Sequence, residues 1–402
     1  MIRTLITLLL IVANLPVAAA SRRRAVAPPP APAPALTGNL GDPVRGLTAE
    51  QLGAWPAARG KFKEDRDVAG GLGPIFNDVS CHRCHNIPVA GGSNLRVVTL
   101  FGRTAKGVFD PMKALGGLVL QDEALGPEQG MAPFQRELVP AQATIVTQRR
   151  TTPLFGLGFV DATPDATFIA LAAQQAARNP ATAGRVAFVT NFAAGTPTVG
   201  KFGWKAQLPS LFQFAGEAYV NEMGITSPEF PNENCANGNC NDLARNPAPG
   251  LNDTGDGVRQ LTDFMLMLGA PSRGLITADV TAGEQVFRQL GCNECHVPNL
   301  TTGSHPIAAL SNKTYSPYSD FLLHDMGALG DGIAQGDAGG REFRTAPLWG
   351  LRAERTFLHD GRADNINDAI TAHDGQARTS REAYQQLDAQ ARAALMAFLD
   401  SL

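Results

Sequence analysis

Two short stretches of this chain, CHRCH at residues 81–85 and CNECH at residues 292–296, place two cysteines three positions apart and a histidine directly after them. This is the attachment pattern of a c-type haem. The two thiols reach the two vinyl groups of one porphyrin, and the following histidine becomes the proximal iron ligand. The sequence therefore predicts two covalent haem groups. The attachment residues are Cys81, Cys84 and His85 for the first, and Cys292, Cys295 and His296 for the second.

A structural zinc site or a redox dithiol is the alternative interpretation of these cysteine pairs. Structural zinc usually combines two such pairs about 15–20 residues apart. Here the pairs lie more than 200 residues apart, and each has its own histidine. The spacing therefore favours haem.

Residues 1–20 have the features of a cleaved secretory signal peptide. Arg3 precedes an apolar run over residues 5–17, and three alanines at 18–20 offer a cleavage site before Ser21. Because c-type haem is attached outside the cytoplasm, we predict a periplasmic protein with no membrane span after cleavage. An uncleaved anchor is the alternative, since three arginines at 22–24 follow directly.

Residues 21–45 form a linker rich in proline and alanine, for which an extended, semi-rigid conformation is expected. The chain has 34 Lys and Arg against 37 Asp and Glu, a net charge of −3. Beyond residues 22–24 it has no basic cluster, so we expect no nucleic-acid partner.

An internal duplication is visible at three places in the same order. The haem pattern is the first, and RTTPLFGL at 150–157 against RTAPLWGL at 344–351, identical at six of eight positions, is the second. The third is a closing helix in each half, near 261–268 and 395–402, with apolar residues at helical spacing.

The duplication predicts a mainly α, loop-rich fold with two cytochrome c-like haem domains in tandem, over residues 46–275 and 276–402. The first domain carries a large insertion of about 77 residues, mostly between 157 and 261. A capping box at 281–284 predicts the start of the helix that leads to the second haem. We expect a loop before the first haem and no paired strands.

Cys235 and Cys240 remain after haem attachment, in the turn-rich segment NCANGNCN. In an oxidising compartment a disulfide across this small loop is favoured over a reactive thiol pair.

The segment NDTGDG at 252–257 weakly resembles a calcium-binding loop, which makes Ca²⁺ a second cofactor to consider. It lacks acids at the first and third positions, so the start of a helix is the favoured interpretation.

Five further motifs resemble one known family. They are GLGPIFN at 71–77, FGWKA at 202–206, LHDMG at 323–327, RTAP at 344–347 and FLHDG at 357–361. Together they resemble the di-haem oxidoreductase family, sometimes labelled thiol oxidoreductase, which is similar to bacterial di-haem cytochrome c peroxidases, MauG-type enzymes and rubber oxygenases. The resemblance implies a helical two-domain protein that reduces hydrogen peroxide at the N-terminal haem, with electrons entering through the C-terminal haem from a small c-type cytochrome or cupredoxin.

In the peroxidases a methionine after the His-Asp-Gly loop binds the electron-entry iron. This chain has His373 at that place, where Ile366, Ala369 and Ile370 share its helix face. We therefore predict His373 as the sixth ligand of the second haem. Met326 as the ligand, or a purely structural histidine, are the alternatives.

The first haem has no distal histidine in its own half, because no histidine lies between positions 86 and 295. Its sixth position is predicted to be open to a small oxidant, or filled by a weaker ligand. The local alternatives are Met112, Met131, Met223 and Lys205.

A polar and aromatic stretch in the insertion supplies the catalytic candidates. Glu217 is the predicted acid–base group and Gln213 a positioning group, and Trp204, Lys205 and Gln207 belong to the same stretch. A solvated helix face is the alternative interpretation for each of them. Trp204 and Trp349 are candidates for electron relay, although core packing also explains a tryptophan. A di-haem electron-transfer cytochrome without substrate chemistry is the competing function.

Overall fold

The computed structural model describes residues 39–402, so the predicted signal peptide and most of the predicted linker lie outside the described residues. Of the described residues, 36% are helical and 15% are in strands, in agreement with a mainly helical fold. The helices are α1 (Ala49–Lys63), α2 (Cys81–Cys84), α3 (Leu157–Asp161), α4 (Asp165–Arg178), α5 (Leu211–Met223), α6 (Asp256–Met267), α7 (Ala278–Gln289), α8 (Ile366–Ala372), α9 (Arg378–Gln385) and α10 (Ala389–Asp400).

The strands are short and form small antiparallel sheets. The three-stranded sheet has the order β3-β2-β5, and the two-stranded sheets are β1-β4, β6-β7, β8-β9 and β10-β11. Their bounds are β1 (Ile75–Phe76), β2 (Val97–Ala105), β3 (Val108–Asp110), β4 (Glu123–Ala124), β5 (Ile145–Arg150), β6 (Ala187–Asn191), β7 (Thr196–Gly200), β8 (Leu300–Thr301), β9 (Thr314–Tyr315), β10 (Leu323–Asp325) and β11 (Glu342–Arg344).

The expectation of no paired strands was wrong. The longest pair joins β2 to β5, with Val97 opposite Arg150 and Gly102 opposite Ile145. The β6–β7 hairpin closes through a hydrogen bond of 2.8 Å from the Gly195 N–H to the Asn191 carbonyl, with Gly195 at a φ of 66°. That left-handed conformation favours glycine, and the valines and threonines around it were the available strand signal.

Each half contains a helix before its haem-attachment motif that packs on a closing helix. In the first half Phe62 of α1 stacks on Phe264 of α6 at 4.2 Å between ring centroids. In the second half Phe287 of α7 lies 5.1 Å from Phe398 of α10. The sequence motif GLGPIFN is largely loop as expected, but α1 upstream of it was missed.

Side chains at the helix starts explain where these helices begin. Thr48 caps α1 and Thr277 caps α7, each hydroxyl accepting a backbone N–H from the first turn. The predicted start of α7 at 281 was therefore four residues late. At α6 the Asp253 carboxylate accepts from the N–H groups of Gly255, Gly257 and Val258, as the helix-start interpretation of this segment requires.

The larger hydrophobic core crosses the domain boundary predicted at 275/276. It joins Val258, Leu261 and Phe264 to Tyr315 and Trp349, whereas a smaller core lies wholly within residues 280–402. The predicted disulfide between Cys235 and Cys240 is confirmed. None of the helices within residues 39–402 is long and apolar enough to cross a membrane.

Candidate haem sites

Cys81, Cys84 and His85 line one cavity of about 200 Å³, called the first cavity below. Helix α2 supplies the two cysteines, and its short length places His85 directly beyond them. Strands β2 and β5 and helix α5 form the other walls, contributing Val98, Leu100, Arg149, Phe214 and Glu217 among others.

His85 is held by its own backbone surroundings. Its Nδ1 lies 3.2 Å from the carbonyl oxygen of Gly92, and its ring centroid lies 6.2 Å from that of Phe62. Burial lowers the pKa of His85 to about 4, so the imidazole is neutral at physiological pH. With Nδ1–H donated to the carbonyl, Nε2 keeps its lone pair for an iron.

Cys292, Cys295 and His296 line a second cavity of about 270 Å³, called the second cavity below. The His296 Nδ1 lies 2.9 Å from the carbonyl oxygen of Tyr318, and its ring lies 6.3 Å from Phe287. Burial also lowers the pKa of His296 to about 4. The contact of phenylalanine, histidine and carbonyl is thus repeated in both halves, with the same interplanar angle of 55°.

His373 lines the second cavity together with His296, and follows directly after α8. Its Nδ1 lies 2.7 Å from the carbonyl oxygen of Ala369, which leaves Nε2 available as a ligand. Ile366, Ala369 and Ile370 line the same cavity, so the predicted shared face of this helix is confirmed. Met326, the alternative ligand, also lines it.

The donor atoms fit a haem better than a zinc ion. Within residues 39–402, the group of potential metal ligands whose atoms converge within 4.8 Å is Cys295, Asp320 and His324. In neither attachment motif do both cysteines converge with the following histidine, as a tetrahedral zinc site requires. Two thiols on the cavity wall and one histidine with a free Nε2 suit attachment to a porphyrin edge and iron ligation.

The Cys295–His324–Asp320 contact was missed by the sequence interpretation. His324 Nδ1 lies 3.5 Å from Cys295 Sγ, and its Nε2 lies 2.9 Å from Asp320 Oδ2. Burial lowers the pKa of His324, but the Asp320 carboxylate and the Cys295 sulfur together outweigh burial and raise this pKa well above its ordinary value. The motif LHDMG was visible, but its partner Asp320 could be identified only from the fold.

The two cavities meet at a shared wall. Both are lined by Arg150, Thr152, Gly203, Trp204 and Phe214. The indole of Trp204 is perpendicular to the rings of Phe343 and His359, each 6.4 Å away between centroids. Trp349 lines the second cavity only and contacts Tyr315 at 5.9 Å.

Glu217 of α5 lines the first cavity, and its carboxylate makes no hydrogen bond with residues 39–402. Burial raises the pKa of Glu217 to about 7, with a smaller contribution from Glu222. A carboxyl group with this pKa exchanges protons readily near neutral pH.

Gln213 and Lys205 do not line either cavity. Gln213 binds the β6–β7 hairpin, donating to the Thr190 carbonyl and accepting from the Phe192 N–H. The fully buried Lys205 ammonium lies 3.2 Å from Asp331 and donates to the Glu342 carbonyl at 2.6 Å. The structure therefore places both side chains in contacts within the fold, outside the lining of the two cavities.

Gln207 supplies the amide in the first cavity that Gln213 does not. Its Oε1 accepts from the Lys205 N–H at 3.1 Å, which leaves the amide nitrogen as a donor. Among the predicted alternative ligands of the first haem, Met223 lines this cavity, whereas Met112 and Met131 do not.

The family comparison matches residues 135–402 to a family described as "Di-haem oxidoreductase, putative peroxidase". The matched segment contains the second attachment motif and the Glu217 helix, and begins after the first attachment motif. No curated protein matches the chain.

Solved structures similar to this chain are distant from it. Hydrazine synthase from Kuenenia stuttgartiensis is 15% identical, with 94% of this chain and 99% of that chain covered and a TM-score of 0.40. A MauG-like protein associated with microbial copper homeostasis is 14% identical over 91% and 94%, with a TM-score of 0.42. The di-haem peroxidase BthA from Burkholderia thailandensis is 14% identical over 76% and 94%, with a TM-score of 0.31.

Proposed function

The chain belongs to the di-haem oxidoreductase family, and from this premise we propose that it is a periplasmic enzyme that reduces hydrogen peroxide. Two c-type haems are attached, one through Cys81 and Cys84 and the other through Cys292 and Cys295. Peroxide takes up two electrons and two protons and yields two water molecules. The electrons come from a small c-type cytochrome or cupredoxin, enter at the second haem and pass to the first.

The observation that carries this proposal is that the two cavities contain different iron ligands and proton-transfer groups. The second contains His296 and His373, each with Nδ1 bound to a carbonyl and Nε2 free. The first contains a single histidine, His85, and the carboxyl group of Glu217, which has no hydrogen-bond partner among residues 39–402. Two strong ligands suit electron transfer, whereas one histidine and a proton-transfer group suit the binding of a small oxidant.

Glu217 and Gln207 are the proposed proton-transfer and positioning groups. A bound haem iron would supply the site for peroxide and the electrons that break its O–O bond. Glu217 takes the proton from one peroxide oxygen and returns it to the departing oxygen. The free amide nitrogen of Gln207 holds the departing oxygen through a hydrogen bond.

An electron-transfer cytochrome is the second candidate, because Met223 also lines the first cavity. A thioether bound to the first iron would close the position that peroxide needs. The electron paramagnetic resonance spectrum of the ferric and half-reduced protein separates the two functions. Peroxide reduction requires a high-spin first haem in at least one of these states.

The purified exported protein also tests the predicted haem content and the predicted periplasmic location. The intact mass of the exported protein should equal the chain from Ser21 plus two haems, and mixing with peroxide should change the absorption of the first haem. Two haems that stay low-spin in both redox states and inert to peroxide would replace the enzyme with the cytochrome. A mass without two haems would contradict both functions.

A further inference from the structure

Arg344 is a buried cation that is paired with no carboxylate of the described residues. It ends β11, is 6% exposed, and lines the second cavity. Its Nε donates to the Gly203 carbonyl at 2.7 Å and its Nη1 to the Thr345 carbonyl at 3.0 Å. No ion pair of Arg344 occurs within residues 39–402, and residues 1–38 contain no aspartate or glutamate.

The nearby Asp320 does not fill this role. Its carboxylate is already bound by His324 at 2.9 Å and by the Gln175 amide at 2.8 Å. Burial lowers the pKa of Arg344 to about 10, and Asp320 offsets this only in part. The guanidinium is therefore charged at neutral pH, with two nitrogens bound to neutral carbonyls and Nη2 bound to no residue of 39–402.

The other copy of the repeated octapeptide has a carboxylate beside its arginine. Arg150 occupies the same position in RTTPLFGL as Arg344 does in RTAPLWGL, and is 7% exposed. It is paired with Glu354, whose carboxylate also accepts from the Ser93 hydroxyl at 3.0 Å. Within residues 39–402, Arg150 is therefore paired directly with a carboxylate, whereas Arg344 is not.

A buried, uncompensated charge is costly, so an anion from outside the polypeptide is expected beside Arg344. A planar guanidinium matches a carboxylate in shape and charge. The second cavity also contains His296 and His373, the proposed ligands of the second iron. We propose that Arg344 binds a propionate carboxylate of the second haem and raises the reduction potential of that haem.

This inference rests on the proposed function only in requiring a haem in the second cavity. It is tested by the reduction potential of the low-spin haem in Arg344→Gln, measured by spectroelectrochemistry. Loss of the positive charge disfavours the added electron, so the equilibrium should shift at least tenfold toward the ferric form, about 59 mV for one electron. Arg344→Lys, which keeps the charge but loses the planar, bidentate guanidinium, should shift this equilibrium less.

Arg341→Gln is the matched control, because Arg341 lies three positions away, is 66% exposed and pairs with Asp325. Its potential should equal that of the wild type. Equal potentials in Arg344→Gln and Arg341→Gln would overturn the inference, whatever the activity with peroxide. Absence of haem from the wild type would instead overturn the proposed function.

Titration of the wild type with chloride and phosphate distinguishes a haem carboxylate from a free anion. A site filled by propionate gives a potential independent of either salt at constant ionic strength. A dependence that disappears in Arg344→Gln would assign the site to a free anion and overturn the inference. Should Arg344→Gln not fold, the propionate bending bands in resonance Raman spectra must differ between the wild type and Arg344→Lys; identical bands contradict it.

Discussion

The indole nitrogen of Trp204 donates a hydrogen bond of 2.9 Å to the carbonyl oxygen of Arg150, and both residues line both cavities. This bond fixes the indole plane at the wall that separates the two predicted haems. His359 and Phe343 meet the same indole edge to face from the side of the second cavity. A rigid aromatic group between two redox centres is well placed to carry electrons.

Replacing Trp204 by Phe should slow electron transfer from the second haem to the first. The smaller ring loses the hydrogen bond to Arg150 and the contact area that the indole provides. Flash reduction of the second haem, followed by absorption, gives the transfer rate. Trp349→Phe is the control, because Trp349 lines only the second cavity. Equal rates in the two variants would remove Trp204 from the path.

Glu217→Gln should reduce the rate of peroxide reduction by about 10²–10⁴-fold, the usual contribution of an acid–base group. The carboxylate form accepts the peroxide proton, and the pKa of Glu217 is raised to about 7 by burial. The wild-type rate should therefore rise as pH rises through about 7. The variant should react more slowly, and its rate should no longer rise through this pH range.

Glu233→Gln is the control for this experiment. Burial also raises the pKa of Glu233 to about 7, but Glu233 lines neither cavity and pairs with the Asn246 amide. Its variant should keep the wild-type pH profile. If the rate of peroxide reduction in Glu217→Gln still rises through about pH 7, the group that ionises is not Glu217.

Local patterns were sufficient for part of this structure. The disulfide between Cys235 and Cys240, the helix face before His373, and the placing of each cysteine pair with its histidine at a cavity all depend on residues within a few positions of one another. Glu217 belongs to the predicted insertion and lines the first cavity, while its predicted acid–base role stays a prediction.

Contacts between residues that lie far apart in the sequence could not be predicted from one sequence. Lys205 meets Asp331, and His324 meets Cys295, although the two residues of each pair lie in separate segments of the sequence that only the fold brings together. Gln213 and Gln207 could not be distinguished, since the turn between them rotates one amide to the hairpin and the other to the cavity. The β2–β5 pair also joins segments about 50 residues apart.

Lys205→Met should destabilise the protein rather than abolish its chemistry. Lys205 and Asp331 are both fully buried, and the Lys205 ammonium lies 3.9 Å from the centre of the Phe343 ring. Removing one partner of a buried ion pair costs about 3–5 kcal/mol, and Arg149 compensates part of this through Asp331. Urea unfolding measures the loss. Normal stability with lost peroxide reduction would restore the catalytic interpretation of Lys205.

The double substitution Cys235→Ser and Cys240→Ser should lower the free energy of unfolding by about 2 kcal/mol, as loop-closure entropy gives for so short a loop. The Glu137 carboxylate keeps the loop in place by accepting the Asn237 N–H. Haem spectra and the peroxide rate should not change. Altered haem spectra would mean that the loop supports a cavity directly.

His373→Ala should convert the second haem from low spin to high spin, because His373 Nε2 is the proposed sixth ligand opposite His296. The electron paramagnetic resonance spectrum reports this change, and added imidazole should restore the low-spin signal by filling the vacated position. Met326→Leu is the control, since Met326 lines the same cavity and keeps its apolar volume as leucine.

Each alternative for His373 gives a different result in this pair of variants. If Met326 is the ligand, Met326→Leu loses the low-spin signal and His373→Ala keeps it. If His373 only supports the helix end through its bond to Ala369, His373→Ala lowers the unfolding midpoint and both variants stay low-spin. Loss of the signal in His373→Ala alone, with rescue by imidazole, assigns the ligand, because a structural defect would not be repaired by a free imidazole.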